Sequence, residues 1–228
     1  MYSPGYIHQR AKLQESLARL DDDGGAACPK MVVFDLDYTL WPAWVDTHVT
    51  PPLKRAPPTS INRVADRHGE ALSFFPHVPA ILLHLKDKGI KIGVASRTSA
   101  PSAARQALTG LVLEDTRKGK KPGEEVKSIA LFDYQEIYPG SKLTHLKRLH
   151  ADSGIAYEDM IFFDDEHRNS EVGKLGVLFV LVGHPGLDLG TFEKGIREWR
   201  QLRQARAEEG HAGTNGTLHD HRQDSDGE

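Results

Sequence analysis

Residues 31–41 read MVVFDLDYTLW, an apolar run that passes directly into two aspartates separated by one residue. A short apolar run bounded by polar residues is typical of a strand buried on both faces of a parallel sheet. Asp35 and Asp37 therefore stand where such a strand ends. Open parallel sheets bind their ligands at this edge, so the two carboxylates are candidates for a functional site.

Three more apolar runs have the same character: IKIGVA at 90–95, MIFF at 160–163 and VLFVLV at 177–182. Residues 78–89 and 142–154 have helical spacing of apolar positions and end at glycine. A further strand is predicted in SIALFDY at 128–134. Strands that alternate with helices predict an α/β fold, a doubly wound, Rossmann-like parallel sheet of about five strands with helices on both faces.

The chain divides into three parts by composition. Residues 1–28 are expected to form a partly helical arm, because Leu13, Leu17 and Leu20 recur at helical spacing. Residues 29–205 are expected to form one domain, with a hairpin flap that turns at 67–69 and lies over a site, and with a polar surface insertion at 113–127. Residues 206–228 are too polar to bury much surface and are predicted to be a disordered tail.

Charge and apolar content exclude several classes of partner. The chain has 29 Lys and Arg against 32 Asp and Glu, a net charge of -3, which gives no general attraction to nucleic acid or to an anionic membrane. No apolar run approaches the roughly 20 residues of a spanning helix, and no signal-peptide core is present at the N-terminus. We therefore expect a cytoplasmic protein, with the nucleus as the alternative location. No oligomeric state follows from the sequence.

Polar side chains gather at the ends of three predicted strands. They are Asp35, Asp37 and Thr39, then Ser96, Arg97 and Thr98, then Asp164, Asp165 and Glu166. Crowded carboxylates require a positive partner, and Mg²⁺ fits best because it binds one or two carboxylates together with water and phosphate oxygens. Lys142, at a predicted helix start, is a second cation for a phosphate or an aspartate. Each feature alone has a structural explanation as a cap, a loop or a surface residue, but together they predict one active site.

These motifs, in this order, resemble those of the haloacid dehalogenase superfamily of phosphohydrolases. More narrowly, VFDLDYTLWPAWVDTHVTPP at 33–52, ASRTS at 95–99, EIYPGSK at 136–142 and FFDDEHRN at 162–169 look like the eukaryotic magnesium-dependent phosphatase group, a capless branch. The resemblance covers about residues 29–192. His167 departs from it, since an asparagine is expected there.

The resemblance implies a role for each motif residue. Asp35 is expected to be the nucleophile and Asp37 the general acid and base. Magnesium is expected to bind the Asp35 carboxylate, the Asp37 carbonyl and Asp165, with Asp164 orienting the site. Phosphate oxygens are expected to contact Ser96, Lys142 and the backbone NH groups near Leu36.

Trp44 and Arg97 border the substrate in the resembling family. The substrate is expected to be a phosphorylated small molecule or a phosphoprotein. The expected classes are phosphotyrosine-like aryl phosphates and phosphosugars such as fructosamine 6-phosphates, and the residues do not choose between them. Trp41 is interpreted as a core residue.

Two other functions are alternatives for these residues. A receiver-like phosphoacceptor module also uses acidic residues, a hydroxyl and a lysine around magnesium, but its acidic pair precedes a lone aspartate on a later strand. Here the nucleophile-like pair, Asp35 and Asp37, comes first and Asp164 with Asp165 last. A catalytically silent binding domain of the same fold predicts the loss of a motif carboxylate, and every one is present.

Overall fold

A computed structural model describes residues 13, 15–20 and 27–215, with side chains as far as residue 209. Within these residues the strands are β1 (Met31–Phe34), β2 (Lys54–Arg55), β3 (Val64–Ala65), β4 (Ala71–Leu72), β5 (Lys91–Ser96), β6 (Val112–Glu114), β7 (Glu125–Lys127), β8 (Tyr134–Ile137), β9 (Met160–Asp164) and β10 (Leu178–Leu181). The longer helices are α1 (Val78–Asp87), α2 (Pro101–Gly110), α3 (Lys142–Ser153) and α4 (Leu189–Asn215). Shorter 3₁₀ helices span Ser128–Leu131, Tyr157–Asp159 and His167–Leu175, and residues 15–20 are also helical.

The central sheet has five parallel strands in the order β10-β9-β1-β5-β8. This confirms the predicted α/β class and the four strands read from apolar runs. The prediction for residues 128–134 is wrong, because Ser128–Leu131 is a 3₁₀ helix and β8 begins only at Tyr134. The Ser128 hydroxyl donates to the Leu108 carbonyl at 2.7 Å and fixes that turn beneath α2. As an edge strand, β8 is only half-buried and lacks an apolar run.

Strand β1 lies in the middle of the sheet, and this position explains why its four residues are all apolar. Val32 and Phe34 face one hydrophobic core, and Met31 and Val33 face the other. The first core includes residues of α1, α2 and α4, and the second includes residues of α3 and of His167–Leu175. Helices therefore cover both faces, and the carboxyl ends of the strands stay open.

The predicted hairpin after β1 is present, but it does not lie over the site. Strands β3 and β4 pair antiparallel, and the turn closes with the Asp66 NH donating to the Glu70 carbonyl. The hairpin packs on α2, where a Cβ on Gly110 would come within 2.6 Å of Val64 Cγ1. Among described residues, none from 50–79 lines the active-site cavity. Burial of Val64 and Leu72 holds the hairpin against the core instead.

The expected insertion at 113–127 is largely a hairpin in which β6 pairs antiparallel with β7. Its basic run RKGKK is partly neutralised within the hairpin. The Arg117 guanidinium binds the buried Asp115 carboxylate at 2.5 Å, and Lys120 Nζ lies 2.5 Å from Glu124 Oε1. Two of the basic side chains therefore serve local ion pairs.

The two ends of the described chain meet. Leu13, Leu17 and Leu20 are buried in the first core, as their helical spacing predicts, and Arg200 on α4 donates to the Leu20 carbonyl at 3.0 Å. Helix α4 continues to Asn215, so residues 206–215 are helical and the boundary predicted at 206 was too early. Ala, Arg and Glu at 205–209 favour a helix, which explains the difference. Residues 216–228, like 1–12, 14 and 21–26, lie outside the described part.

Among the helices of the described ranges, none combines the length and the apolar content needed to cross a bilayer.

Candidate active site

The carboxyl ends of β1, β5 and β9 and the start of α3 meet around a cavity of about 350 Å³. Its lining includes all the predicted site residues except Leu36, Thr39 and Asp164, which are buried behind it. The lining residues are Asp35, Asp37, Trp44, Asp46, Ser96, Arg97, Thr98, Lys142, Asp165, Glu166 and Arg168. The parallel topology thus brings together residues separated by more than one hundred positions in the chain.

Lys142 is the buried cation at the centre of the site. Its Nζ lies 2.5 Å from Asp35 Oδ1, 2.9 Å from Asp164 Oδ2 and 2.5 Å from the Ala95 carbonyl oxygen. The ammonium also lies 5.1 Å from the centroid of the Phe162 ring. Ser141 caps α3 by accepting a hydrogen bond from the Leu143 NH, so the first helical residue is directed into the site.

The loop after β1 holds Asp37 in a fixed orientation. The Leu36 carbonyl accepts hydrogen bonds from the NH groups of Thr39 and Leu40, and Tyr38 has a left-handed backbone with φ of 55°. This tight turn brings the Trp41 indole back over Asp37, where Nε1 donates to Asp37 Oδ1 at 2.8 Å. The Val45 NH donates to the same oxygen at 3.3 Å.

Ser96 ends β5 and is buried. Its hydroxyl oxygen accepts a hydrogen bond from the Thr98 NH at 3.3 Å, which fixes the turn from the strand towards α2. Arg97 follows at the exposed rim of the cavity. The pair therefore offers a hydroxyl in the interior and a guanidinium at the rim.

The two aspartates after β9 have different surroundings. Asp164 is fully buried, and its carboxylate accepts hydrogen bonds from Asn169 Nδ2 at 2.9 Å and from the Glu166 NH at 2.7 Å, in addition to Lys142. Asp165 is half-buried and lines the cavity. Asp164 is thus committed to protein contacts, and Asp165 faces the cavity where a ligand would bind.

Burial shifts the pKa values of the acidic residues. Desolvation raises the pKa of Asp35, against the opposing charge of Lys142. Desolvation likewise raises the pKa of Asp37 to about 6 and that of Asp165 to about 6. Burial disfavours the charged form of Lys142, but Asp35 and Asp164 outweigh it and raise its pKa. Lys142 is therefore charged, but its single positive charge does not balance the carboxylates around it.

This donor set fits Mg²⁺. Lys142 is one buried ammonium among the carboxylates of Asp35, Asp37, Asp164 and Asp165, so a further cation would relieve their repulsion. In the described part of the chain, no group of three or more Asp, Glu, His or Cys side chains is arranged to chelate a metal by itself. Mg²⁺ does not need such a cage, because water and substrate phosphate oxygens complete its coordination.

The mouth of the cavity carries an aromatic cluster. Trp44 is 50% exposed, its ring centroid lies 5.1 Å from that of Tyr38, and it stacks on His48 at 5.3 Å. His48 Nδ1 also accepts a hydrogen bond from the Trp44 NH at 3.1 Å. An exposed indole held from behind in this way presents one free aromatic surface at the entrance.

Several residues of the site were not predicted from the sequence. Asn169 donates to both oxygens of Asp164 and accepts from Arg97 at 3.4 Å, so the expected asparagine lies two residues after His167. Asp46 lines the cavity and accepts from the Ser99 hydroxyl at 2.9 Å. Trp41 is a core residue, as interpreted, but it also contacts Asp37. The sequence signal for Asn169 is weak: it is the amide side chain that ends FFDDEHRN.

A parallel sheet with paired aspartates after its central strand, a serine after the neighbouring strand and a helix-borne lysine has the architecture of the haloacid dehalogenase-like hydrolases. Within this class the chain belongs to the Acid Phosphatase family, whose model matches residues 27–202.

Two relatives share most of their length with this chain. A HAD-like hydrolase superfamily protein of Schizosaccharomyces pombe is 45% identical over 152 residues, which cover 67% of this chain and 84% of the relative. Magnesium-dependent phosphatase 1 of Homo sapiens is 42% identical over 172 residues, 75% of this chain and 87% of the relative.

Proposed function

We propose that this protein is a magnesium-dependent phosphomonoester hydrolase that forms an aspartyl-phosphate on Asp35. The observation that carries the proposal is the contact of 2.5 Å between Lys142 Nζ and Asp35 Oδ1 at the open end of the central strand. Family membership and the name of the human relative support the same reaction class.

The reaction divides between two carboxyl groups. An Asp35 carboxylate oxygen attacks phosphorus, the ester P–O bond breaks, and the leaving oxygen takes a proton from Asp37. Asp37 then accepts a proton from water, whose oxygen attacks the phosphorus of the aspartyl-phosphate. Inorganic phosphate leaves and the Asp35 carboxylate is restored. A pKa of about 6 suits Asp37 to both proton transfers near neutral pH.

The remaining residues bind and orient the phosphoryl group. We assign to Lys142 and the Ser96 hydroxyl, which line the cavity, contacts with its oxygens as charge spreads over them. The backbone NH groups near Leu36 would add further contacts. Asp164 holds Lys142 from the protein side. Mg²⁺, held by the Asp35 carboxylate, the Asp37 carbonyl and Asp165, would supply positive charge that screens the nucleophile from the phosphate.

The cavity mouth suits exposed phosphoryl groups on a ring. Trp44 supplies an aromatic surface and Arg97 a guanidinium beside the same opening. Both suit a planar or hydroxylated ring that carries a phosphate. Phosphotyrosine-like aryl phosphates and phosphosugars, including fructosamine 6-phosphates, are the substrate classes we propose.

The test measures hydrolysis of p-nitrophenyl phosphate by the full chain with added Mg²⁺, after exhaustive chelation and after Mg²⁺ is restored. We expect activity, its loss on chelation and its recovery. Full activity in the chelated protein, or no activity with Mg²⁺ on p-nitrophenyl phosphate and a panel of sugar phosphates, would contradict the proposal.

A further inference from the structure

A second concave surface lies between β2 and the outer face of α2. We call it the α2 groove. It has a volume of about 750 Å³, and its lining includes Leu53, Lys54, Arg55, Pro101 and Arg105. Pro101 provides partly exposed apolar surface, Leu53 lies almost buried at the base with 5% exposure, and the three other residues are cationic. Within the described part of the chain, no carboxylate lines this groove.

The three cationic side chains of the groove differ in whether they can pair with a ligand. Arg55 binds both carboxylate oxygens of Glu125, at 2.9 and 2.7 Å, and its Nε donates to the Ser60 carbonyl. Lys54 and Arg105 are exposed, and neither side chain has an ion pair among the described residues. Two positive charges therefore flank an apolar surface in a chain whose net charge is -3. This combination suits an acidic ligand that also carries apolar groups.

A short stretch of chain connects the α2 groove to the catalytic cavity. Thr98 lines the catalytic cavity and Pro101 lines the groove. Pro101 lies three positions after Thr98 in the chain, so their Cα atoms are at most about 11 Å apart. An extended peptide spans about 3.3 Å per residue, and a side chain three to five positions from a phosphorylated residue in the cavity would reach the groove.

We propose that the α2 groove binds an acidic segment of a phosphoprotein substrate, positioned three to five residues from the phosphorylated side chain. The proposal rests on the phosphatase function proposed above and selects phosphoproteins among its substrate classes. The Pro101 ring would pack against an apolar residue of that segment, and Lys54 and Arg105 would pair with its carboxylates.

The experiment compares wild type with the double variant Lys54→Glu/Arg105→Glu on three substrates. These are p-nitrophenyl phosphate, a phosphotyrosine peptide with glutamates and a leucine three to five positions to either side, and the same peptide with glutamine for glutamate. The matched control is Lys147→Glu/Lys174→Glu, which changes the net charge equally. Its exposed lysines belong to α3 and to His167–Leu175, which cover the opposite face of the sheet.

For wild type we expect a kcat/KM about tenfold higher on the acidic peptide than on the glutamine peptide, a preference that shrinks as salt screens the charges. The groove variant should lose this preference and keep its activity on p-nitrophenyl phosphate. The control variant should keep both. No preference in wild type, equal losses on all three substrates, or an equal loss of the preference in the control variant would overturn the proposal.

Peptide binding is measured separately from turnover. A failure of the groove proposal can then be distinguished from a failure of the phosphatase proposal. Fluorescence anisotropy of the labelled, unphosphorylated acidic peptide reports the groove without any turnover. We expect binding that is weakened about tenfold in the groove variant. A thymidine dodecanucleotide that bound wild type as tightly, with the same loss in the variant, would show unselective anion binding and overturn the peptide assignment. A protein without phosphatase activity that still bound the peptide would refute only the proposed function.

Discussion

The Trp41 indole Nε1 donates a hydrogen bond to Asp37 Oδ1 at 2.8 Å, although the same ring is fully buried and stacks on Phe74 with centroids 5.9 Å apart. A core side chain thus fixes the carboxyl group to which we assign both proton transfers. The hydrogen bond favours the charged form of Asp37 and opposes the desolvation that raises its pKa. The core and the proton donor of the active site are therefore linked through one side chain.

Trp41→Phe tests this link. The phenylalanine keeps much of the stacking on Phe74 but removes the NH donor, so Asp37 should be less well oriented. We expect a loss in kcat/KM of roughly three- to tenfold on an alkyl phosphate, whose leaving group needs protonation, and a smaller loss on p-nitrophenyl phosphate. The control is Trp199→Phe, because the indole of Trp199 donates to the Glu158 carbonyl outside the site. Equal losses on the two substrates would contradict the positioning role.

Asp35→Asn tests the nucleophile. The amide has nearly the same shape as the carboxyl group but cannot form the aspartyl-phosphate, so we expect at least about a 10³-fold loss in kcat on p-nitrophenyl phosphate with Mg²⁺. Circular dichroism should be unchanged, and acid-quenched samples should contain no phosphoenzyme. Asp152→Asn is the control, since among the residues that the structure describes that carboxylate pairs with Arg148 on the surface of α3, away from the cavity. Turnover close to wild type in Asp35→Asn would exclude this assignment.

Trp44→Ala tests the aromatic entrance. Removal of the half-exposed ring should lower kcat/KM on aryl phosphates by roughly three- to tenfold relative to sugar phosphates, because ring stacking is lost. The control is Leu181→Ala, which removes another exposed apolar side chain, on the edge strand β10. A uniform loss on every substrate would instead indicate that Trp44 supports the loop through Tyr38 and His48.

The predictable part of the fold was the part buried on both faces. MVVF and MIFF are continuous apolar runs because β1 and β9 have helices on either side, and their burial is complete. Strand β8, with the sequence YQEI, lies at the sheet edge and is only half-buried, so its pattern was not distinctive. Burial, rather than strand propensity alone, determined which strands the sequence could predict.

The same contrast holds for the site. Asp35, Ser96 and Asp164 were identifiable because each follows or ends a buried strand, and the resemblance supplied their expected roles. Asn169 reaches Asp164 only because a 3₁₀ helix begins at His167 and brings the amide back. Trp41 reaches Asp37 through a turn with a left-handed residue at Tyr38. The periodicity of apolar residues in the sequence does not predict such contacts.

Asn169→Ala tests the support of Asp164. The buried carboxylate would lose two hydrogen bonds from the amide, so we expect the free energy of unfolding to fall by about 2 kcal/mol. We also expect the Mg²⁺ concentration for half-maximal activity to rise about tenfold, as for other groups that orient metal ligands. Asn62→Ala is the control, because the Asn62 side chain bonds the backbone of Phe74, and Asn62 does not line the catalytic cavity. An equal shift in Mg²⁺ requirement in both variants would contradict a specific role for Asn169.

His145 should make stability depend on pH. It is fully buried, its Nε2 contacts the Tyr138 carbonyl at 3.0 Å, and desolvation, aided by the charge of Lys142, lowers its pKa to about 4. In the unfolded chain its pKa is about 6.5, so between these values the unfolded state binds more protons. The contribution of neutral His145 is therefore complete above about pH 6.5 and is lost as the pH falls towards 4.

Between about pH 7.5 and pH 5 we expect wild type to lose roughly 1 to 2 kcal/mol of unfolding free energy through this group, with solvent screening allowed for. Urea denaturation at both pH values, compared with His145→Gln, isolates the effect, because glutamine can still donate to the Tyr138 carbonyl but does not titrate. The variant should show a correspondingly smaller loss on acidification. The same pH dependence in both proteins would mean that His145 is protonated without cost in the folded state.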